Sequence, residues 1–260
     1  MKIQLLSDLH LEFYASKDAK NFIDSLIAPA DTLVLAGDID VGRTNTAASI
    51  NAFASNYKHV VYVPGNHEYY GGTVKSWKDF QQKVASNVFV LNPGTCFLPD
   101  GDEFVAFIGG TLWTNFDNDP EAEQIARAFI QDFRRIGDLN TNECRLLHQE
   151  HADAFRHGTL HAEGHNCKVV YVSHFLPIRE CVHPRWRTVQ GVGSKLNSYF
   201  CNDMNIEFAA DNSTWLFGHT HDTMDFVGPK GIRFIANPAG YPNSFVRENG
   251  NFDPHLIIEV

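Results

Sequence analysis

Eight short apolar runs, rich in β-branched and aromatic residues and each closed by turn formers, set the limits on what this chain can fold into. They span 3–6, 32–36, 60–63, 104–108, 169–172, 215–217, 232–236 and 256–260. Short, mostly apolar runs of three to five residues bounded by turn formers are the pattern of strands buried on both faces. Amphipathic patterns alternate with several of them. Phe22, Ile23, Leu26 and Ile27 fit one helical face; Ile50, Phe53, Ala54 and Tyr57 fit another. A third, Val74, Trp77, Phe80 and Val84, has Thr73 as N-cap. Asp119-Pro120-Glu121 combines a cap, a first-turn proline and an acidic first turn, and a mostly helical region follows to about residue 163.

That order predicts a layered α/β fold. At 260 residues, 43% of them hydrophobic, the chain suits one large domain. We expect a single domain over 1–260 with a mainly helical insertion at about 118–163. No repeat, low-complexity tract or Gly/Ser-rich linker interrupts it.

The informative residues are those that end five of the strands. The first run leads into Ser7-Asp8-Leu9-His10, the second into Gly37-Asp38, and the third into Gly65-Asn66-His67-Glu68. The run at 169–172 leads to Ser173-His174, and that at 215–217 to Gly218-His219-Thr220-His221. Ligand sites in open α/β sheets collect outside the carboxyl ends of strands. Any one of these endings is an ordinary polar turn. A lone Asp-x-His is common, and Asn66 and His67 taken alone are a turn residue and a surface histidine.

As an ordered set, D-x-H, G-D, G-N-H-[DE], H and G-H-x-H, they resemble the calcineurin-like metallophosphoesterases from residue 8 to residue 221. The resemblance implies a four-layer α/β/β/α sandwich and two metal ions. Asp8, His10 and His221 would hold one, Asp38 would bridge to the other, and Asn66, His174 and His219 would complete the second. His67 would stay off the metals as the general acid, and Asp38 counts as catalytic because it touches both ions. Of the acidic residues close in sequence, Glu68 and Asp40 are the candidates to orient His67.

The residue types agree with that implication. Nitrogen and oxygen donors without thiolate suit Mn, Fe, Zn or Ni rather than a structural zinc. A carboxylate is the side chain that readily bridges two cations. Two metals can lower the pKa of a bridging water, making a hydroxide nucleophile, and offset charge on the phosphoryl oxygens. The charge balance also needs them. The formal net charge is -10, from 21 basic and 31 acidic residues. Such a surface argues against non-specific binding of nucleic acid or of an anionic membrane. Two divalent ions, less two aspartates and a hydroxide, leave a local charge of about +1 that can still attract a phosphate ester.

Differences from protein phosphatases narrow the substrate. Those enzymes carry G-D-x-H-G and G-D-x-V-D-R-G, whereas this chain has "SDLHLE" and "GDIDVGR", with Asp40 and Arg43 at other offsets. The resemblance is to the phosphodiesterase-like branch. Phe175 follows His174 where many of those relatives have a second histidine. We therefore expect hydrolysis of a small-molecule or nucleotide phosphodiester. The alternatives are a broad phosphomonoesterase or a non-catalytic module of the same fold.

Cations and aromatics in 176–203 make it the expected substrate-selecting segment, with Arg179, Arg185 and Arg187 as candidate phosphate contacts. The stretch 237–244 reads as a turn near the site, with Asn237 or Tyr241 in support. His148, His151, His157, His161 and His165 share helical spacings but no strand end, and read as a solvated helix. No apolar stretch reaches transmembrane length, the first ten residues lack signal-peptide features, and five cysteines include no CxxC pair. The expectation is a reduced, cytoplasmic protein; oligomeric state is open.

Overall fold

The structure, a computed structural model, describes residues 1–165, 167–243 and 247–260. Its strands are β1 (Lys2–Leu6), β2 (Thr32–Ala36), β3 (His59–Val63), β4 (Val88–Val90), β5 (Gly94–Asp100), β6 (Glu103–Gly110), β7 (Lys168–Ser173), β8 (Thr214–Phe217), β9 (Met224–Val227), β10 (Arg233–Ala236) and β11 (Ile257–Glu259). The helices are α1 (Ser16–Leu26), α2 (Arg43–Ala54), α3 (Pro120–Phe129), α4 (Asp132–Arg135), α5 (Thr141–Gly164), α6 (Pro184–Arg187) and α7 (Val192–Phe200).

One sheet has the order β11-β1-β2-β3-β4, the other β5-β6-β7-β8-β10-β9. β1 to β4 are parallel, as are β6, β7, β8 and β10, so each sheet gathers its carboxyl ends on one edge. The strand period of two divides each apolar run between two layers. Ile3, Leu5, Val34, Val61 and Val63 meet Phe107, Val170, Val172 and Leu216 between the sheets. The alternate residues Leu6, Leu33, Leu35 and Tyr62 face Ile23, Leu26, Ile50 and Phe53 of α1 and α2. On the far side α5 lays Phe155 and Ala162 against Ala106, Ile108 and Tyr171. The result is the α/β/β/α sandwich, with a buried layer on each face of both sheets.

Asp119 caps α3 by accepting from Glu121 N at 2.9 Å, with Pro120 in the first turn. The third amphipathic pattern is corrected. Thr73 does accept from Ser76 N at 3.2 Å, but two 3-10 turns follow, Val74–Trp77 and Phe80–Lys83, instead of an α-helix. Between them Asp79 leaves helical space (φ −103°, ψ 21°), and the Trp77 and Phe80 rings pack at a tilt with centroids 4.3 Å apart. The histidine face of α5 is corrected as well. His151 is buried and accepts from Leu112 N at 3.0 Å, and His148 meets Trp113 O at 2.8 Å. His157, His161 and His165 are exposed. Among the described residues no helix is long and apolar enough to cross a membrane.

Candidate metal centre

The polar strand ends meet because the two sheets are stitched together there. Ser7, just past β1, forms a parallel bridge with Pro238, just past β10, and Ala239 N donates to Ser7 O at 2.9 Å. Within the first sheet Asp8 N donates to Gly37 O and His10 N to Asp38 O, at 2.9 and 3.1 Å. In the second, Gly218 N donates to His174 O at 3.1 Å.

The backbone at these turns is unusual. Asp8, His10, Asp38, His219 and His221 all lie in the left-handed region, with φ between 49° and 78°. Each such residue costs on the order of 1–3 kcal/mol and persists where surrounding structure holds it. Two glycines make room for the side chains. A Cβ on Gly65 would fall 2.1 Å from Asp38 Oδ1, and one on Gly37 (φ +88°) 2.3 Å from His174 Nδ1.

Two donor groups result. In the first, Asp8, His10 and His221 bring their donor atoms within 4.8 Å of one another. His10 Nε2 and His221 Nε2 are 3.1 Å apart, and Asp8 Oδ1 lies 3.5 Å from His221 Nε2. The second contains Asp38, His174 and His219, again within 4.8 Å. His174 Nε2 stands 3.1 Å from Asn66 Oδ1, 3.1 Å from His219 Nδ1 and 3.4 Å from Asp38 Oδ2. Asp38 Oδ2 is also 3.9 Å from His10 Nε2 and so lies between the groups. Each group draws on both sheets.

The hydrogen bonds behind these atoms test whether a cation fits. Nδ1 of His10 faces Glu12 Oε1 at 3.1 Å, and Nδ1 of His221 faces Glu248 Oε2 at 2.6 Å. Nδ1 of His174 donates to Ala36 O at 2.9 Å. Such partners fix a proton on Nδ1 and leave Nε2 with a lone pair. The Asn66 amide donates through Nδ2 to Asp132 at 3.1 Å, which turns Oδ1 inward. Lone pairs therefore converge on lone pairs, an arrangement that suits a cation. The residues fit the group.

Without a metal, protons serve the same atoms. Burial lowers the pKa of His174, but the Asp38 and Asp8 carboxylates more than reverse this and bring it up to about 9. His221 likewise rises to about 10, burial being outweighed by Asp8 and Glu248. His219 goes the other way, held well below its usual value by burial and by His174. A metal bound here would compete with protons for one set of nitrogens, as metal sites generally require.

His67 stands apart from both groups. Its backbone N donates to Asp38 Oδ1 at 2.9 Å, Nδ1 meets Glu12 Oε1 at 2.9 Å, and Nε2 is 3.3 Å from Tyr241 OH. Burial lowers its pKa, but Asp38 and Glu12 raise it above the usual histidine value. A third trio, His10, Glu12 and His67, also brings donor atoms within 4.8 Å. There Glu12 accepts from the outer nitrogens of two imidazoles, so that cluster is held by hydrogen bonds.

Neither acidic residue expected beside His67 is its partner. Both oxygens of Glu68 accept backbone N–H groups, from Asp38 at 3.0 Å, Ile39 at 2.8 Å and Gly65 at 2.8 Å, and so shape the two turns. Asp40 accepts from Val41 N and Ser49 Oγ, each at 2.8 Å. Sequence reasoning missed Glu12, Asp132 and Glu248. Asp132 is buried and receives Tyr70 OH at 2.6 Å, together with the Tyr199 hydroxyl. Tyr241 lies over His10 with ring centroids 4.3 Å apart. Asn237 instead ties Leu5 O to Asp253 O, a structural turn; Ser244 of that stretch lies outside the described residues.

A family model for the calcineurin-like phosphoesterases matches residues 1–223. The chain belongs to that family. Its members are metal-dependent phosphoric ester hydrolases, and the two donor groups could hold a dinuclear centre. An uncharacterized protein of Acanthamoeba polyphaga mimivirus is 26% identical over 99% of this chain and 96% of its own length. Among solved structures, phosphopantetheinyl hydrolase from Mycobacterium tuberculosis superposes with a TM-score of 0.74 at 17% identity. It covers 93% of this chain and 90% of its own. A dimetal phosphatase from Danio rerio gives 0.50 at 12% identity, over 91% and 86%. These likenesses establish the phosphoesterase fold.

A cleft of about 460 Å³ opens from Asp38, His67, His219 and His221 of this phosphoesterase. Of the three arginines expected there, Arg185 lines it and is paired with Asp222 at 3.0 Å. Arg179 and Arg187 are spent elsewhere. The first pairs with Asp117, and the second donates to Val182 O at 2.6 Å and Glu180 O at 2.7 Å. Segment 176–203, the expected substrate-selecting segment, carries α6 and α7. Phe175 is buried with its ring 4.0 Å from that of His219, giving the centre an apolar wall.

Proposed function

We propose that this phosphoesterase hydrolyses small-molecule or nucleotide phosphodiesters with two metal ions. Asp8, His10, Asp38 and His221 would hold one, and Asp38, Asn66, His174 and His219 the other. The observation that carries this reading is the place of Asp38 Oδ2, 3.4 Å from His174 of one donor group and 3.9 Å from His10 of the other. The all nitrogen and oxygen donor set suits Mn, Fe, Zn or Ni. When bound, such ions supply an activated water and offset charge on the phosphoryl oxygens.

The chain's own residues do the rest. His67 sits 4.0 Å from Asp38 Oδ2 and presents Nε2 near the centre, placed to give a proton to the departing oxygen. Glu12 holds its other nitrogen and keeps the ring turned that way. Tyr241 donates or accepts at the same Nε2 and covers His10.

The surroundings favour a diester over a monoester. Glu12, Glu248 and Asp132 ring the centre, while Arg185, the arginine in the cleft wall, is already paired with Asp222. A diester brings one negative charge into that acidic ring and a monoester up to two. The five free cysteines support a cytoplasmic setting.

The test supplies Mn, Fe, Zn or Ni to chelator-stripped protein and compares bis-p-nitrophenyl phosphate with p-nitrophenyl phosphate. The expected result is a kcat/KM at least about tenfold higher for the diester. A monoester preference would overturn the diester reading in favour of a phosphomonoesterase. Inactivity on both with every metal would overturn it in favour of a non-catalytic module.

A further inference from the structure

Beyond the centre, the cleft changes character. On α7, Gly193, Leu196, Asn197 and Phe200 line it. Their spacing puts them on one helical face. Phe129 and Ile130 at the end of the neighbouring α3 line it as well, together with Val182, Trp186 and Val189. Phe129 is 59% and Trp186 41% exposed, so two rings flank the mouth with much of their surface uncovered. The apolar wall begins at the centre itself, since the Phe200 ring lies 5.2 Å from that of His219.

The indole and guanidinium donors of this wall are already used. Trp186 Nε1 donates to Asp222 Oδ2 at 2.8 Å. Arg185 donates to the same carboxylate at 3.0 and 3.1 Å and lies 4.6 Å over the Trp186 ring. Among the described lining residues there is no other lysine or arginine. A second phosphate or a carboxylate entering here would lose hydration without gaining a free cation.

We infer that this part of the cleft binds the organic arm of the ester and selects apolar, uncharged arms, such as alkyl or aryl groups, over arms that end in an anion. The inference rests on the phosphodiesterase reading above and names the substrate class of that site. Each methylene that enters should tighten binding roughly three- to fourfold, the equivalent of its transfer from water.

Dialkyl phosphinates test this, because they carry the single charge of a phosphodiester and have no ester bond to break. Calorimetry on the metal-loaded protein would compare dimethylphosphinate, butyl(methyl)phosphinate and (3-carboxypropyl)(methyl)phosphinate. The butyl compound should bind at least about tenfold more tightly than the dimethyl one, and the carboxylate compound no more tightly. In Leu196→Asp the butyl advantage should fall to within about threefold; Trp186→Ala, at an exposed ring, should reduce it too. Equal affinity for methyl and butyl arms, or tighter binding of the carboxylate arm, would overturn the inference. Hydrolysis of bis-p-nitrophenyl phosphate in the same preparation scores the underlying reading separately. If that diester is not turned over, the phosphodiesterase reading fails while the phosphinate affinities still decide the arm.

Discussion

Glu12 meets His67 through one oxygen, Oε1 to Nδ1 at 2.9 Å, and leaves Nε2 of the ring facing Asp38 and Tyr241. Glu12 touches none of the reacting atoms on this geometry and acts through two imidazoles, those of His67 and of the metal-facing His10. Glu12→Gln should therefore lower kcat about tenfold or more, with little change in KM. The loss should grow as the leaving group becomes poorer, since only a basic leaving oxygen needs the proton. A uniform loss across a leaving-group series would assign Glu12 a merely structural part.

Removing His67 or Asp38 should separate two kinds of failure. His67→Ala should keep its metals and lose about 10²- to 10⁴-fold in kcat for poor leaving groups, and least for p-nitrophenyl esters. Asp38→Ala should lose activity and most bound metal together, because its carboxylate reaches both donor groups. Metal analysis of the two purified variants checks this. Metal loss in His67→Ala would move that residue into the ligand set.

Asp132 holds the Asn66 amide by accepting from Nδ2 at 3.1 Å, which keeps Oδ1 toward His174. Asp132→Ala frees that amide to rotate and leaves Tyr70 and Tyr199 without their acceptor. Affinity for one of the two metals should fall about 10- to 100-fold, the other changing little. Asp132→Asn retains an acceptor and should restore most of it. Competition with a chromophoric chelator would resolve the two steps.

His151 gives the clearest pH signature away from the centre. Burial and the nearby His148 lower its pKa from 6.5 to about 3. A histidine held neutral in the fold contributes stability that is present above its unfolded pKa. That stability is lost as pH falls from about 6.5 toward 3. Between pH 7 and pH 5 the wild type should lose about 2 kcal/mol through this group. In His151→Asn, which keeps an acceptor for Leu112 N, that part should vanish. Urea titrations of both proteins at the two pH values measure the difference.

Much of the fold was legible because the apolar runs state it twice. They mark where strands lie, and their neighbours in sequence mark where strands end. β4, β5 and β9 escaped for local reasons. Val88–Val90 is three residues long, Gly94–Asp100 contains a glycine and a proline, and Met224–Val227 is half-exposed at a sheet edge. The donors were legible for the same reason as the strands, since each follows a strand directly.

Their supports were not. Asp132 comes from a four-residue helix that no sequence pattern marks, and the tyrosine hydroxyls it receives lie 62 and 67 residues away in sequence. Glu248 follows a turn-rich stretch that no apolar pattern marks. His151 looked solvated because Gln149, Glu150 and Asp153 stand close to it in sequence, although Leu147 and Phe155, four residues to either side, share its face. It is buried because Gly110 of β6 leaves it room, a Cβ there falling 2.7 Å from its Nδ1.

The straddling of both sheets by each donor group makes the candidate ions rivets. Asp8 and His10 come from one half and His221 from the other; Asp38 and Asn66 face His174 and His219 across the same seam. A chain cut between β4 and β5 would leave neither fragment with a complete group. Two such fragments, already sharing the apolar layer between the sheets and the β1–β11 pairing, should then bind each other more tightly when metal is supplied than when it is chelated.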